Sequence, residues 1–161
     1  MTIFFTRLKV GYPGPLKALE DFPESWKVYT ICTNQYPGSS TTITDVNLLQ
    51  DTDKYSARSA FKTLLGKAQT GLPLKDQYDE KKCHDVHSFE FNEKSHTIYR
   101  IRAGDVRIYF CYLPPSKTIV LLKTEPKHKD KLSKSKKSEL ETIARSVLQY
   151  SKPAQFESRV I

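Results

Sequence analysis

The chain lacks the features that would place it in a membrane or in the secretory pathway. Its 161 residues contain no apolar run of about 18 or more, so no membrane-spanning helix is expected. The apolar start at residues 2–5 is followed by Arg7 and Lys9. A signal peptide instead places its positive charges before a longer apolar region. We therefore expect a cytoplasmic protein without a membrane partner.

Cysteine is scarce, and its spacing is irregular. Cys32, Cys83 and Cys111 form an odd set, which fits reduced thiols better than a disulfide framework. Cys83 lies close in sequence to His84 and His87, and all three are metal-ligand types. A metal site needs three or four ligands in fixed geometry, and no second cluster completes this one. We expect no metal and no other cofactor.

Acidic residues are too few to balance the basic ones. The chain has 26 Lys and Arg against 18 Asp and Glu, a formal net charge of +8, and residues 1–60 are neutral with six of each sign. Residues 123–137 alone hold seven lysines against Glu125 and Asp130. This asymmetry predicts a polyanionic partner on one side of the fold. A solvated loop and helix start would explain the same lysines.

The order of predicted elements indicates a single α+β domain over residues 1–161. Two strands at 2–10 and 26–33 and a short helix near 44–49 come first. The clearest helix covers 51–71, with Asp51, Thr52 or Asp53 as its cap and Gly71 at its end. Further strands are predicted at 87–91, 96–102, 106–112 and 117–123, followed by a helix at 133–150 and a polar tail at 151–161.

Three arginines occupy one face of the predicted hairpin at 96–112. Because strand side chains alternate, Arg100, Arg102, Arg107 and Tyr109 share a face that we expect to be open. Like charges facing each other across a hairpin are destabilising. Either Glu90 or Glu93 of the neighbouring strand neutralises them, or the guanidinium groups bind phosphate, for which their planar fork is suited. We favour phosphate.

The successive segments TLLGKAQTGLPL, TIYRIRAGDVRIYF and TIVLLKTEPKHK resemble the RelE/ParE superfamily of toxins from type II toxin–antitoxin systems. The ending KHKDKLSKSKKSELETIARSVL is similar to the HigB-like, phage-derived branch. The resemblance covers about residues 55–150, and leaves 1–50 as an N-terminal extension or as a first strand and helix. It implies a small, antiparallel-dominated twisted sheet, with helices on one face and a basic groove on the other.

The same resemblance implies a function. Ribonuclease members cleave mRNA on the ribosome without a metal, by attack of the ribose 2′-OH on the adjacent phosphate, and thereby inhibit translation. The partners would be a cognate antitoxin protein and ribosome-bound mRNA, with contacts to rRNA. A proton must leave the 2′-OH and another must reach the leaving oxygen, while fixed cations stabilise charge on the phosphoryl oxygens.

Carried over by position, the resemblance implies catalytic roles for Arg100, Arg102, Arg107, Lys127, His128 and Lys129. RNA-binding roles are expected for the three arginines and for Tyr109, Lys123, Lys131 and Lys134. His128 is the preferred acid or base, because histidine titrates near neutrality. A lysine crowded by arginines is the other candidate.

The chain departs from the family at its end. Ribonuclease members often carry a tyrosine or histidine near the C-terminus, whereas Tyr150 here ends an apolar helix and is expected to pack. Tyr109, on the arginine face of the hairpin, is a candidate to take the place of this C-terminal residue. Two other functions stay open: a ParE-like toxin that inhibits gyrase, against which the clustered hairpin cations argue, and a non-catalytic RNA-binding or regulatory protein on the same fold.

Overall fold

The computed structural model describes residues 4–9, 23–34, 37–115, 117–127, 131–149 and 159–160. His128, Lys129 and Tyr150 therefore lie outside the described residues, as does most of the predicted tail at 151–161. Across the described ranges, no helix has the length and apolar character needed to cross a membrane.

The described chain is an α+β structure, as predicted. Its elements are β1 (Phe4–Lys9), β2 (Lys27–Cys32), α1 (Thr41–Asn47), α2 (Asp51–Gln69), α3 (Leu74–Gln77), β3 (Cys83–Phe91), β4 (Lys94–Ala103), β5 (Val106–Tyr112), β6 (Thr118–Pro126), α4 (Lys134–Leu148) and β7 (Arg159–Val160). The short helix α3 was not predicted. Strand β3 begins earlier than expected, because the polar start of this strand gives no β signal.

The seven strands form one sheet in the order β3-β4-β5-β6-β2-β1-β7. Most pairs are antiparallel, as predicted, but β2 runs parallel to β6 and β1 runs parallel to β7. The segment before residue 50 therefore contributes β1 and β2 to this sheet, and it also contains α1, which packs against the sheet. A parallel pair needs a long crossover, and the chain between β2 and β6 includes α1, α2 and the β3–β5 strands.

Helices cover both faces of the sheet. Helices α1 and α2 pack on one face, in a core that includes Val46, Ala57, Phe61, Leu64, Ile101, Ile108, Phe110 and Leu121. Helix α4 packs on the other, in a core that includes Ile98, Tyr109, Cys111, Val120, Leu122, Leu140, Ala144 and Val147. The prediction that helices pack on one face only is wrong. The reason is that α4 has its own apolar face, which the sheet's second face buries.

Strand β6 shows how the sequence produces this arrangement. Its apolar residues are consecutive, which is typical of a strand covered on both faces. Ile119 and Leu121 enter the core beneath α2, whereas Val120 and Leu122 enter the core beneath α4. The prediction of a doubly covered strand here is confirmed.

Side-chain N-caps occur at two of the four described α-helices. Ser40 and Ser133 cap α1 and α4 by accepting backbone N–H bonds. Gln50 precedes α2 and makes no side-chain cap bond, so the predicted caps at the next three residues are wrong. The end of α2 is as predicted: Gly71 has φ of +75°, and a Cβ there would overlap the Glu24 carbonyl oxygen.

Asp45 connects α1 to β6 and generates a pH-dependent prediction. One carboxylate oxygen accepts the Thr124 N–H at 2.9 Å and the other lies 3.3 Å from Lys123 Nζ. Burial raises the pKa of Asp45 above its ordinary value, against the opposing effects of Thr124 and Lys123. A raised pKa means that the folded state holds this proton more tightly than the unfolded state. The stabilisation from this bound proton is complete below the ordinary carboxyl pKa, and it is lost as pH rises through the pKa of Asp45 in the folded state.

We therefore expect the free energy of unfolding of the wild type, relative to Asp45→Asn, to fall as pH rises from the ordinary carboxyl pKa through the raised pKa of Asp45 in the folded state. Urea unfolding of both proteins between about pH 3 and pH 7 measures the difference. A difference that stays constant, or that grows in favour of the wild type as pH rises, would contradict the assigned direction.

Candidate functional site

The hairpin of β4 and β5 brings the predicted cations together. Arg102 is opposite Arg107 and Arg100 is opposite Tyr109 in the strand register. Ile101, which lies between the first two arginines, enters the core beneath α2, so these arginines share the α4 face of the sheet. The predicted grouping of these four side chains on one face is confirmed.

The sequence predicts that this face is open, and the structure shows that it is largely covered. Tyr109 is only 2% exposed because it packs in the core beneath α4, and Arg107 is only 4% exposed. Arg100 is half-buried and Arg102 is exposed. The apolar residues on the same face, such as Ile98 and Cys111, provide the surface that α4 covers. Exposed positive charge therefore remains at the end of β4.

Arg107 is bonded to the hairpin turn. Its Nη1 donates to the Gly104 carbonyl at 2.8 Å and to the Val106 carbonyl at 3.0 Å. Burial lowers the pKa of Arg107 below its ordinary value, and the positive charges of Arg100 and Arg102 lower it further. The guanidinium therefore holds the loop that connects the two strands, while its charge adds to the positive field of its neighbours.

Arg100 bridges the interior and the sheet edge. Its Nη2 lies 3.0 Å from His84 Nε2 on β3, and its guanidinium is also hydrogen-bonded to the Tyr109 phenol. Burial, and then the negative charge of Glu125, raises the pKa of Tyr109, so this phenol stays protonated. Tyr109 thus positions Arg100 from beneath.

The proposed neutralising acids do not reach these arginines in the strand register. Glu90 pairs with Ser95 at the far end of β3, and Glu93 lies in the turn that follows this strand. His84 occupies the position opposite Arg100. The interpretation that Glu90 or Glu93 neutralises the hairpin is therefore wrong, because the β3–β4 turn places both glutamates away from it.

A surface cleft of about 480 Å³ opens at this end of the sheet. It is lined by Glu80, Lys81, His84, Asp85, Arg100 and Arg102. We call it the arginine cleft. Three cations, two carboxylates and one imidazole line a volume that is large enough for a phosphodiester and part of its sugar. The arrangement can bind an anion and place an imidazole next to it.

A second charged cluster joins α4 to the sheet beside Tyr109. Lys136 Nζ lies 2.9 Å from Glu125 Oε2 and 3.0 Å from Glu139 Oε2. Burial alone would lower the pKa of Lys136, but the hydrogen bonds to Glu125 and Glu139 raise it above its ordinary value. Glu125 is buried, so this bond satisfies a carboxylate that α4 removes from water.

The predicted basic residues after β5 are dispersed. Lys123 is ion-paired to Asp45, whereas Lys131 and Lys134 are exposed. The Lys127 backbone N–H donates to the Asp105 carbonyl at 2.6 Å, so the segment passes beside the hairpin turn. Of the proposed proton-transfer residues, His128 and Lys129 lie outside the described residues.

The local cluster of cysteine and histidine does not converge. Cys83 enters the core beneath α2, where burial raises the pKa of its thiol to about 11. His84 contacts Arg100, and His87 Nε2 lies 2.9 Å from Glu141 Oε1 on α4. Among the residues that the structure describes, no group of three or more His, Cys, Asp or Glu is placed to hold a metal ion.

His84 is absent from the site predicted from the sequence, as are the other cleft residues Glu80, Lys81 and Asp85. The sequence pattern groups His84 with Cys83 and His87 as a metal-ligand type. A usable signal was present: alternation in a strand starting at Cys83 puts His84 on the face opposite Cys83. The register with β4 that places it beside Arg100 could not be read from the sequence, because a bulge at Asp85/His87 shifts it.

The Lys136–Glu125 pair generates a stability prediction. Lys136→Met leaves the buried Glu125 carboxylate without this donor, and we expect the free energy of unfolding to fall by about 1–3 kcal/mol. Adding Glu125→Gln to this variant removes the buried carboxylate charge that lost its donor, and should recover most of the lost free energy of unfolding. Lys134→Met, on the exposed side of the same helix turn, is the control and should change stability by about 0.5 kcal/mol or less.

Urea denaturation of these variants measures all three effects. A double variant that is less stable than Lys136→Met would show that Glu125 is stabilised by other groups.

No family model matches the chain, and comparisons with curated proteins and with solved structures gave no significant match either. The arginine cleft and the order of the secondary-structure elements are therefore the observations that bear on function.

Proposed function

We propose that the chain is a toxin of a toxin–antitoxin pair, and that it acts as a metal-independent, ribosome-dependent endoribonuclease of the RelE/ParE type. The observation that carries the proposal is the arginine cleft, where Arg100 and Arg102 lie side by side at the end of a strand with His84 next to them. A cleft that combines guanidinium groups with an imidazole suits cleavage of a phosphodiester.

The order of elements supports the finer assignment of the fold. A long helix ends before a glycine turn, the β4–β5 hairpin and β6 follow, and a basic segment precedes the last helix. These are the elements on which the resemblance to the RelE/ParE superfamily is based. The covered α4 face differs from the open groove that the resemblance implies, so we place the RNA at the end of the hairpin.

The proposed reaction is an internal transesterification. The ribose 2′-oxygen attacks the adjacent phosphorus, the bond from phosphorus to the 5′-oxygen breaks, and a 2′,3′-cyclic phosphate and a 5′-hydroxyl are formed. One group accepts the 2′-OH proton and another gives a proton to the departing 5′-oxygen. Arg100 and Arg102 stabilise the charge that develops on the non-bridging oxygens.

Within this proposal the remaining predicted residues have different roles. Arg107 is buried and bonded to the turn, so it acts on the RNA through its charge and by holding the hairpin loop. Lys127, which lies beside that turn, together with His128 and Lys129, supplies the acid for the leaving oxygen. Lys131 and Lys134 are exposed and attract the backbone. Lys123 is paired with Asp45 and contributes less.

The partners follow from the same proposal. Ribosome-bound mRNA, with the surrounding rRNA, supplies the polyanion that a net charge of +8 attracts in the cytoplasm. An antitoxin would inhibit by covering the arginine cleft or by displacing α4, whose contact with Glu125 lies beside Tyr109. Such a partner would carry acidic or apolar segments.

A non-catalytic RNA-binding protein is the second candidate. It is favoured by one observation, the commitment of Arg107 and Tyr109 to contacts within the protein. In that case the arginine cleft would hold RNA without cutting it, and translation would fall while the mRNA stayed intact.

The test compares mRNA 5′ ends in cells that express the wild type, Arg100→Ala or Arg102→Ala. We expect codon-phased cuts with the wild type, and a reduction of about 100-fold in Arg100→Ala, because one fixed charged donor to a phosphoryl transition state contributes about that factor. Lys94→Ala removes an exposed cation from the far end of the same strand and should cut normally.

Absence of new 5′ ends with the wild type would contradict the enzyme. Inhibited translation with intact mRNA would then support the second candidate. Cleavage by both arginine variants at the wild-type rate would place the reaction elsewhere on the chain.

A further inference from the structure

The hydrogen-bond partners of the two His84 ring nitrogens determine which nitrogen carries the proton. Arginine can only donate, so the 3.0 Å contact from Arg100 Nη2 makes His84 Nε2 the acceptor. The other ring nitrogen, Nδ1, lies 2.9 Å from the Asp85 carbonyl oxygen, which can only accept. His84 is therefore a neutral imidazole, with its proton on Nδ1 and its lone pair on Nε2 directed at Arg100.

The imidazole is accessible from two sides. It lines the arginine cleft and also an adjoining cavity of about 440 Å³. Charged groups from every neighbouring element face these spaces: Lys75 and Asp76 from α3, Glu80 and Lys81 from the following turn, Asp85 from β3, and Arg100 and Arg102 from β4. His84 has its Nε2 lone pair directed at the Arg100 guanidinium.

We propose that His84 Nε2 is the general base of the ribonuclease reaction. This inference rests on the proposed function and deepens it by naming the proton acceptor. When the phosphodiester binds, Arg100 turns from His84 to a non-bridging oxygen, and the freed lone pair accepts the 2′-OH proton. In a reactive conformation the attacking oxygen lies about 3 Å from the phosphorus. A guanidinium and an imidazole held 3.0 Å apart can contact neighbouring oxygens of one ribose–phosphate unit.

Proton transfer to His84 accompanies the exchange of bonds at phosphorus. The 2′-OH proton moves to Nε2 and gives an imidazolium, the 2′-oxygen forms its bond to phosphorus, and the 5′-oxygen leaves with the electron pair of the broken bond. That oxygen takes a proton from a cationic side chain, for which we assign the ammonium of Lys127, whose backbone lies beside the hairpin turn. Asp85 contributes its backbone carbonyl, which holds the imidazole in its orientation.

A role limited to positioning must be distinguished from proton transfer. His84 could serve only to hold Arg100 in place, and then any side chain that accepts the Arg100 hydrogen bond would suffice. His84→Asn keeps an acceptor but cannot act as a base near neutral pH. His84→Ala removes both functions and leaves space for a free imidazole molecule.

The experiment uses the full chain with programmed ribosomes in a reconstituted translation reaction and measures single-turnover cleavage of the mRNA. We expect His84→Ala and His84→Asn to slow cleavage by about 100-fold or more, with the apparent affinity for the ribosome changed by less than about threefold. Added imidazole should restore cleavage at least tenfold in His84→Ala. His96→Ala, which changes a histidine at the far end of β4, is the control and should retain the wild-type rate.

Each other outcome overturns the inference. Wild-type rates in His84→Asn with a slow His84→Ala would make His84 a positioning residue. A slow His84→Ala that imidazole does not rescue, or a rate equal to the wild type, would assign the base elsewhere. These results all require that the wild type cuts mRNA. A wild type that does not cut would overturn the proposed function itself, and the two failures are therefore distinct.

Discussion

Burial of strand β5 on both faces is the constraint on which the site depends. Every residue of β5 from Val106 to Cys111 is buried, so its alternate side chains fill two separate cores. An arginine and a tyrosine on such a strand must be satisfied inside the protein. Arg107 meets this demand through the carbonyls of the turn, and Tyr109 through Arg100.

This constraint also locates the accessible charge. Helix α4 covers one face of the sheet near Cys111 and Val120. The end of β4 on the same face lies outside the covered area. Arg100 is therefore held from below by a buried phenol and presented at its outer side to a cleft. A guanidinium held by a buried phenol can exchange its contact with His84 for one with an anion and keep that support, which limits the freedom lost on binding, as electrostatic catalysis requires. The buried strand thus supplies rigidity, and the strand end supplies access.

Much of the fold could be predicted because hydrophobic periodicity reports local structure directly. The apolar positions of α2 and α4 and the alternation of β4 and β5 were all readable, and so was the grouping of the arginines on one face. The parallel pairing of β2 with β6 was not, since no local pattern encodes which distant strand becomes a neighbour. The same limit applies to α4, whose apolar face was predicted while the surface that it covers was not.

The site was predictable only in part, for a related reason. Arg100 and Arg102 lie in a strand whose alternation is clear, whereas His84 begins a strand with little β propensity and a bulge in its register. The bulge decides which β3 residue faces Arg100, and bulges depend on tertiary packing more than on local sequence. The role expected of Tyr109 as an open-face residue failed because the coverage by α4 is a tertiary effect.

We propose that the hairpin cations Arg100 and Arg102 bind RNA phosphate at the arginine cleft. The most direct test of this proposal is a titration of the ¹⁵N-labelled chain with a short single-stranded RNA, followed by amide chemical shifts. We expect shifts to concentrate at residues 81–85 and 100–104, and to weaken with increasing salt. Shifts confined to residues 127–137, with the hairpin end unchanged, would show that the lysine segment alone attracts RNA and that the arginine cleft is not the RNA site.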